Sequence, residues 1–363
     1  MLKLFVRYIK RGKAMLNHLH TFSRFMCEGK YRINDSFTYI SLDNEYVAMK
    51  AVNAFEKSDN IGIKLKLKLK LKKYLAVLSN FLLMPFLKLR AGNISIFNGN
   101  LILPGINNRD IKVFDFINSR ILVLYSERDT YHSKISNYIN FNTYFPMPSI
   151  FLKNDVCNII IEELIDFKPY EKWSCNDKQY VINDVFQKQI DYLKSAEKKK
   201  NYRNIFVRDL LNEDIVNDCI CDFLISKINH QAFDLELPVI KLHGDLWSGN
   251  LLFKQNSVYY IDWEYSNDLI FFFDLYFIAF SELFFVNDSI YIDMYYQCKL
   301  DNEFKDVFQI FGLQFYEHYR TDYIYIMLLN HYVNSWIYED KDVKENICKR
   351  LKQMSNQLNN IPA

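Results

Sequence analysis

The sequence predicts an α+β chain of two lobes, a small β-rich one followed by a larger helical one, behind a mostly helical N-terminal extension. Three observations predict this. The chain has 363 residues, enough for more than one folding unit. Residues 91–166 carry strand patterns in pairs, separated by turn signals. From 167 onward, apolar residues recur mostly at helical spacing. The expected division is an extension over 1–90, a small lobe over 91–166 and a large lobe over 167–363.

Composition narrows the class. Half of the residues are apolar and 17% are aromatic, which excludes a disordered chain. With 45 basic and 43 acidic residues the net charge is +2, so there is no overall nucleic-acid signature and no such partner is expected. The seven cysteines include no C-x-x-C pair, and reduced, mostly buried thiols in a cytoplasmic protein are the plain reading. The basic N-terminus is not followed by an apolar run of signal-peptide length. The longest apolar stretch, 74–87, is 14 residues long and contains Pro85. A membrane-spanning helix needs roughly 20, so none is predicted.

Within 1–90 the segment 63–73, IKLKLKLKLKK, alternates almost strictly, as a half-exposed strand does. The basic face between Lys64 and Lys73 has two open readings. One is a solvated face; the other is peripheral contact with anionic lipid at the inner face of the membrane, or with a polyanionic substrate. In the small lobe, Asn98-Gly99 between 94–97 and 101–103 signals a hairpin. A second hairpin joins 110–116 to 120–125, and Ser126 is expected to cap a helix reaching 142. Extended structure resumes at FPMPSIFL, and 158–165, NIIIEELI, reads as an apolar strand. In the large lobe, 179–194 and 202–228 read as helices, as does most of the chain from Leu275. Between them, 250–253 and 258–262 read as short strands around a polar turn.

The chemistry concentrates in His243-Gly244-Asp245-Leu246-Trp247-Ser248-Gly249-Asn250, followed after a hairpin by Ile261-Asp262-Trp263-Glu264. Phosphoryl transfer from ATP requires a carboxylate near the acceptor hydroxyl and oxygen ligands for the Mg²⁺ that bridges the phosphates. A D-x₄-N loop places Asp245 at the acceptor and turns Asn250 toward the metal. The short hairpin then returns Asp262 beside Asn250. Trp247 has two readings, packing beneath the loop or stacking on substrate. Glu264 is either a solvated acid or an aid to metal or substrate.

This segment resembles the aminoglycoside phosphotransferase and choline kinase family, of protein-kinase-like fold, and HGDLWSGN is also similar to the loop of fructosamine kinases. The resemblance implies Asp245 as catalytic base or hydroxyl-orienting group, Asn250 and Asp262 as Mg²⁺ ligands, and His243 as a structural buttress. It implies Asp274 as a brace of the loop. Glu162, Glu163, Leu164 and Ile165 would form the nucleotide hinge. The implied activity is transfer of the ATP γ-phosphate to a hydroxyl of a small molecule or sugar. The basic run between Lys64 and Lys73 beside the apolar stretch 74–87 adds a further expectation, a membrane-linked acceptor in surface-polysaccharide or lipopolysaccharide metabolism.

The small lobe departs from that pattern. The strand expected to carry a phosphate-holding lysine, 120–125, reads RILVLY and has none. Lys112 and Arg120 are the expected substitutes, with Arg128 and Lys134 further along. No glycine-rich phosphate loop is evident. An active enzyme with a relocated cation and an inactive nucleotide-binding scaffold are therefore both carried forward.

Overall fold

The computed structural model describes residues 29–33, 39–41, 87–89, 97, 99, 101–104, 110–211 and 218–358. The chain divides into two compact units, Met1–Ser136 with Pro148–Asp166, and Asn137–Met147 with Phe167–Ala363.

The first unit is built on one antiparallel sheet. Its strands are β1 (Gly29–Ile33), β2 (Tyr39–Ser41), β3 (Leu87–Leu89), β4 (Leu101–Pro104), β5 (Ile111–Asp115), β6 (Arg120–Leu124), β7 (Ile150–Asn154) and β8 (Ile159–Glu163). Their order across the sheet is β3-β1-β2-β4-β5-β6-β8-β7. The described residues of the expected helical extension are therefore strands. Segment 63–73, the apolar run up to residue 86, residues 94–96 and Asn98 lie outside the described residues.

The β5–β6 hairpin forms as the sequence predicts. Asp115 anchors its turn: the buried carboxylate accepts from the Ile117 and Asn118 N–H groups at 3.1 and 3.0 Å. Helix α1 (Arg128–Phe141) follows β6. Ser126 does not cap it through its side chain; its N–H and hydroxyl go to Asp110 at 3.0 and 3.4 Å. A buried cluster of Val123, Tyr125, Tyr131 and Ile160, flanked by Ile121, Ile135 and Ile150, marks the face of the sheet on which α1 packs.

The second unit is mostly helical. Helix α2 (Cys175–Lys199) opens with a reciprocal cap between Ser174 and Asp177 and closes on Lys200 in the left-handed conformation. Its buried stripe includes Val181, Ile182, Val185, Phe186, Gln189, Ile190 and Leu193. Helices α3 (Cys219–Ile225), α4 (Phe273–Ser281), α5 (Ile290–Tyr296), α6 (Asp301–Ile310), α7 (Arg320–Asn334) and α8 (Lys341–Leu358) complete the helical part. Every residue of α4 is buried, so this helix is central to the core.

Two small sheets interrupt the helices. Strands β9 (Arg203–Phe206), β10 (Glu236–Leu242) and β13 (Asn267–Ile270) form one, in the order β13-β10-β9. Strands β11 (Leu251–Lys254) and β12 (Ser257–Tyr260) form the other. The helix expected over 202–228 is thus corrected. Its first part is β9, because Arg203–Phe206 pairs with Glu236–Val239 of β10, and among its described residues only Cys219–Ile225 is α-helical. Long-range pairing overrides local periodicity here. Strand β13 was not anticipated either.

Among the described residues, no helix is long and apolar enough to cross a membrane. The cysteines among them, Cys157, Cys175, Cys219, Cys221, Cys298 and Cys348, are free thiols, but only Cys221 and Cys348 are buried, which corrects the expectation of mostly buried thiols.

Candidate active site

The second unit gathers the sequence-predicted acidic loop around the C-terminal end of β10. That strand is buried along most of its length and leads directly into His243. Its last carbonyls are held by side chains: Tyr192 donates to Lys241 and Ser266 to Leu242, each at 2.7 Å.

The turn after β10 depends on Gly244. Its φ is +80°, and a Cβ there would lie 2.4 Å from the Tyr265 carbonyl oxygen. Glycine satisfies both demands without strain. Asp274, on the first turn of α4, accepts from the Gly244 N–H through Oδ1 and the His243 N–H through Oδ2, each at 2.9 Å. Gln189 of α2 donates to the same Oδ2 at 3.0 Å. Burial pushes the Asp274 carboxyl up to about 6, and the hydrogen bonds act in the opposite direction.

His243 is buried with its ring 4.5 Å from that of Trp263. Its Nδ1 accepts from the Asp245 N–H at 3.3 Å. That assignment leaves Nε2 as the protonated nitrogen, which donates to the Ile261 carbonyl at 2.8 Å. The ring therefore ties the loop to the strand end that precedes Asp262.

Asn250 closes the loop. Its Nδ2 donates to the Asp245 carbonyl at 2.7 Å and to Asp245 Oδ2 at 3.0 Å. Its own carbonyl accepts the Ile261 N–H at 3.0 Å. The hairpin makes that return possible. Gln255 and Asn256 both take positive φ, 46° and 64°, as a tight two-residue turn requires. Asp262 follows in the left-handed conformation, with φ 57° and ψ 53°. Asp245, Asn250 and Asp262 thus converge.

Burial raises the Asp245 carboxyl to about 6. The Asn250 hydrogen bond lowers it and the Asp262 charge raises it further. The Asp245 and Asp262 carboxylates and the Asn250 side-chain carbonyl are hard-oxygen groups of the kind that could hold Mg²⁺ together with phosphate and water oxygens. Among the described residues, no group of three or more His, Cys, Asp or Glu side chains could hold a metal by itself.

Glu282 was not anticipated from the sequence. It is buried at the start of a π-helical turn, Glu282–Val286, directly after α4, and its Oε1 accepts the Ser248 N–H at 2.7 Å. Burial raises its pKa. A single acid in an aromatic run gives no local signal of such a partner; the π-turn is recognisable only in the fold. Trp247 has its ring 6.2 Å from that of Phe285, and a Cβ on Gly249 would sit 2.4 Å from the Trp247 ring. Glu264 is exposed.

The remaining predicted residues belong to the first unit. Glu162 and Glu163 end β8, and Ile165 is buried. The Glu163 N–H donates to the Ser149 carbonyl and the Leu164 N–H to the Ser119 carbonyl, each at 2.9 Å. Arg120 is exposed at the start of β6, its guanidinium 5.1 Å from the centroid of the Phe151 ring. Lys112 is half-buried in β5, directly opposite Val123 of β6.

One cavity, of about 470 Å³, opens at the other end of β10 from the loop, lined in part by Tyr202, Glu236, Phe311 and Tyr316. It holds none of the predicted site residues.

No protein-family model matches the sequence, and no curated protein matches it. Solved structures do. The choline kinase LicA from Streptococcus pneumoniae is 16% identical, with 70% of this chain and 91% of that chain covered at a TM-score of 0.39. The amicoumacin kinase hAmiN, in complex with AMP-PNP, Ca²⁺ and Ami, is 12% identical over 68% of this chain and 85% of that one, at 0.40. The aminoglycoside phosphotransferase APH(3'')-Id from Streptomyces rimosus is 10% identical over 63% and 91%, at 0.33.

Proposed function

We propose that this chain is a Mg²⁺- and ATP-dependent phosphotransferase that moves the γ-phosphate to a hydroxyl of a small molecule or sugar. The convergence of Asp245, Asn250 and Asp262 supports this reading. Asp245 orients the acceptor hydroxyl and takes up its proton. A half-buried carboxyl with a pKa near 6 is suited to that exchange close to neutral pH. Asn250 and Asp262 would hold the metal. A bound Mg²⁺ would supply positive charge to offset that of the phosphates. His243, Asp274 and Glu282 keep the loop in place, so that catalysis rests on positioning.

The test is the purified full chain with Mg²⁺, ATP and a panel of amino alcohols, sugars and aminoglycosides, followed by acceptor-dependent ADP release. Asp245→Asn should lower turnover at least ~100-fold, the usual contribution of a positioned base, while ATP binding persists. Equal turnover in the variant would remove Asp245 from the chemistry.

The absence of a lysine from β6 favours a second reading, a nucleotide-binding scaffold without catalysis. Nucleotide binding with no turnover on any acceptor would support it. A membrane-linked glycan or lipid acceptor rests on the basic run between Lys64 and Lys73 alone. Sedimentation with anionic vesicles, with and without those lysines, tests it, and equal sedimentation would count against it.

A further inference from the structure

The first unit carries a charge pair that sequence reading did not anticipate. Lys134 Nζ lies 3.2 Å from Glu162 Oε2, and the two side chains retain only 14% and 12% of their exposure. Lys134 stands one turn after Tyr131 and beside Ile135 on α1, in the row that packs on the sheet. Glu162 lies opposite Ile121 in the β6–β8 register, and directly opposed residues share a face. The pair therefore sits on the α1 side of the sheet, at the end of β8 that leads into Glu163, Leu164 and Ile165.

Kinase-type phosphoryl transfer holds the nucleotide phosphates with a strand lysine locked to a helix carboxylate. Here the strand contributes Ile121 and Val123 to that face, and the helix contributes a lysine. The ion pair is present with its sides exchanged. We infer that Lys134, held by Glu162, is the cation the first unit offers to the nucleotide phosphates. This inference rests on the phosphotransferase reading above.

Physical chemistry supports a ligand role over a brace. An ion pair drawn partly out of water is a weak source of stability, and apolar side chains in the same row would pack as well. An ammonium has three donors, so a carboxylate partner leaves capacity for phosphate oxygens. Glu162 also restrains a long flexible side chain before ligand arrives, which lowers the entropy cost of binding. Lys112 is the competing cation, since it lies on the same face opposite Val123. Arg120 is engaged over the Phe151 ring at the exposed strand start.

The test is titration calorimetry of Mg·ATP, Mg·ADP and adenosine on the full chain and on Lys134→Met, Lys134→Arg, Glu162→Gln and Lys112→Met. Lys134→Met should weaken ATP and ADP about tenfold or more, the scale of a charged hydrogen bond, and leave adenosine unchanged. Lys134→Arg should retain most of the affinity. Glu162→Gln should give a smaller loss, again confined to the phosphorylated ligands. If Lys134→Met fails to fold, Glu162→Gln carries the test, and equal losses for ATP and adenosine in that variant overturn the inference. So does a phosphate-specific loss in Lys112→Met with none in Lys134→Met. If wild type binds ATP and Asp262→Ala weakens it while Lys134→Met does not, the inference alone falls. If wild type binds no nucleotide, the phosphotransferase reading falls with it.

Discussion

Glu282 accepts the Ser248 amide at 2.7 Å from within a buried π-helical turn. This contact fixes the middle of the loop that bears Asp245 and Asn250, from a position in the chain with no local link to it. Glu282→Ala should leave a buried N–H without a partner and destabilise the protein by ~1–3 kcal/mol. Glu282→Gln keeps a carbonyl acceptor and should cost less. Urea denaturation of the pair measures this; equal midpoints would show that the hydrogen bond does not contribute.

Asp274 sets the start of the same loop. One carboxylate accepts two successive backbone N–H groups and the Gln189 amide. An asparagine offers one oxygen and turns an NH₂ group toward the remaining donors. Asp274→Asn should therefore lose ~1–3 kcal/mol of stability and lower turnover more than it raises the KM for acceptor. Steady-state kinetics beside thermal unfolding would reveal a mismatch if Asp274 only packs.

Gly244→Ala probes the turn itself. The residue takes φ +80° and its Cβ would meet the Tyr265 carbonyl oxygen. Left-handed backbone costs a non-glycine residue ~1–2 kcal/mol before the clash is counted. The expected outcome is a folded but less stable protein with depressed turnover. Wild-type kinetics in this variant would mean that the turn adjusts at no cost.

His331 supplies a pH dependence. Its ring packs against Phe277 and Trp336 at 5.0 and 4.6 Å, and desolvation lowers its pKa to about 4 from 6.5. Below pH 6.5 the unfolded chain binds a proton that the folded imidazole refuses. This contribution to stability is therefore present above 6.5 and falls away toward pH 4, by at most ~3 kcal/mol and less for a ring with some solvent access. Asp245 and Asp274, both raised to about 6, tilt the other way, because their folded forms bind protons more readily than the unfolded chain. The measurement is thus a difference: His331→Phe should lose less stability than wild type between pH 7 and 5. An identical slope in both proteins would exclude the ring as the source.

The readable part of the site is the part whose geometry is local. His243, Asp245, Asn250 and Asp262 lie on one loop and one hairpin, and the Gln255-Asn256 turn alone brings the second carboxylate back to the amide. The β5–β6 hairpin was legible for the same reason. Residues 202–228 were misread because β9 is stabilised by β10, a later segment, and not by its own periodicity. Strand β13 escaped notice because β10 is its partner as well.

By itself the sequence determined the α+β class and singled out Asp245, Asn250 and Asp262 as a candidate set. Hydrophobic period, turn chemistry and short-range spacing are written in consecutive residues. Only the tertiary structure decided that Asp274 and Gln189 meet at the loop backbone, that Glu282 holds Ser248, and that Lys134 faces Glu162. Each of those pairings joins groups far apart in the chain. Such a pairing depends on which faces pack together, because a buried charge or N–H is stable only where a partner is already in place.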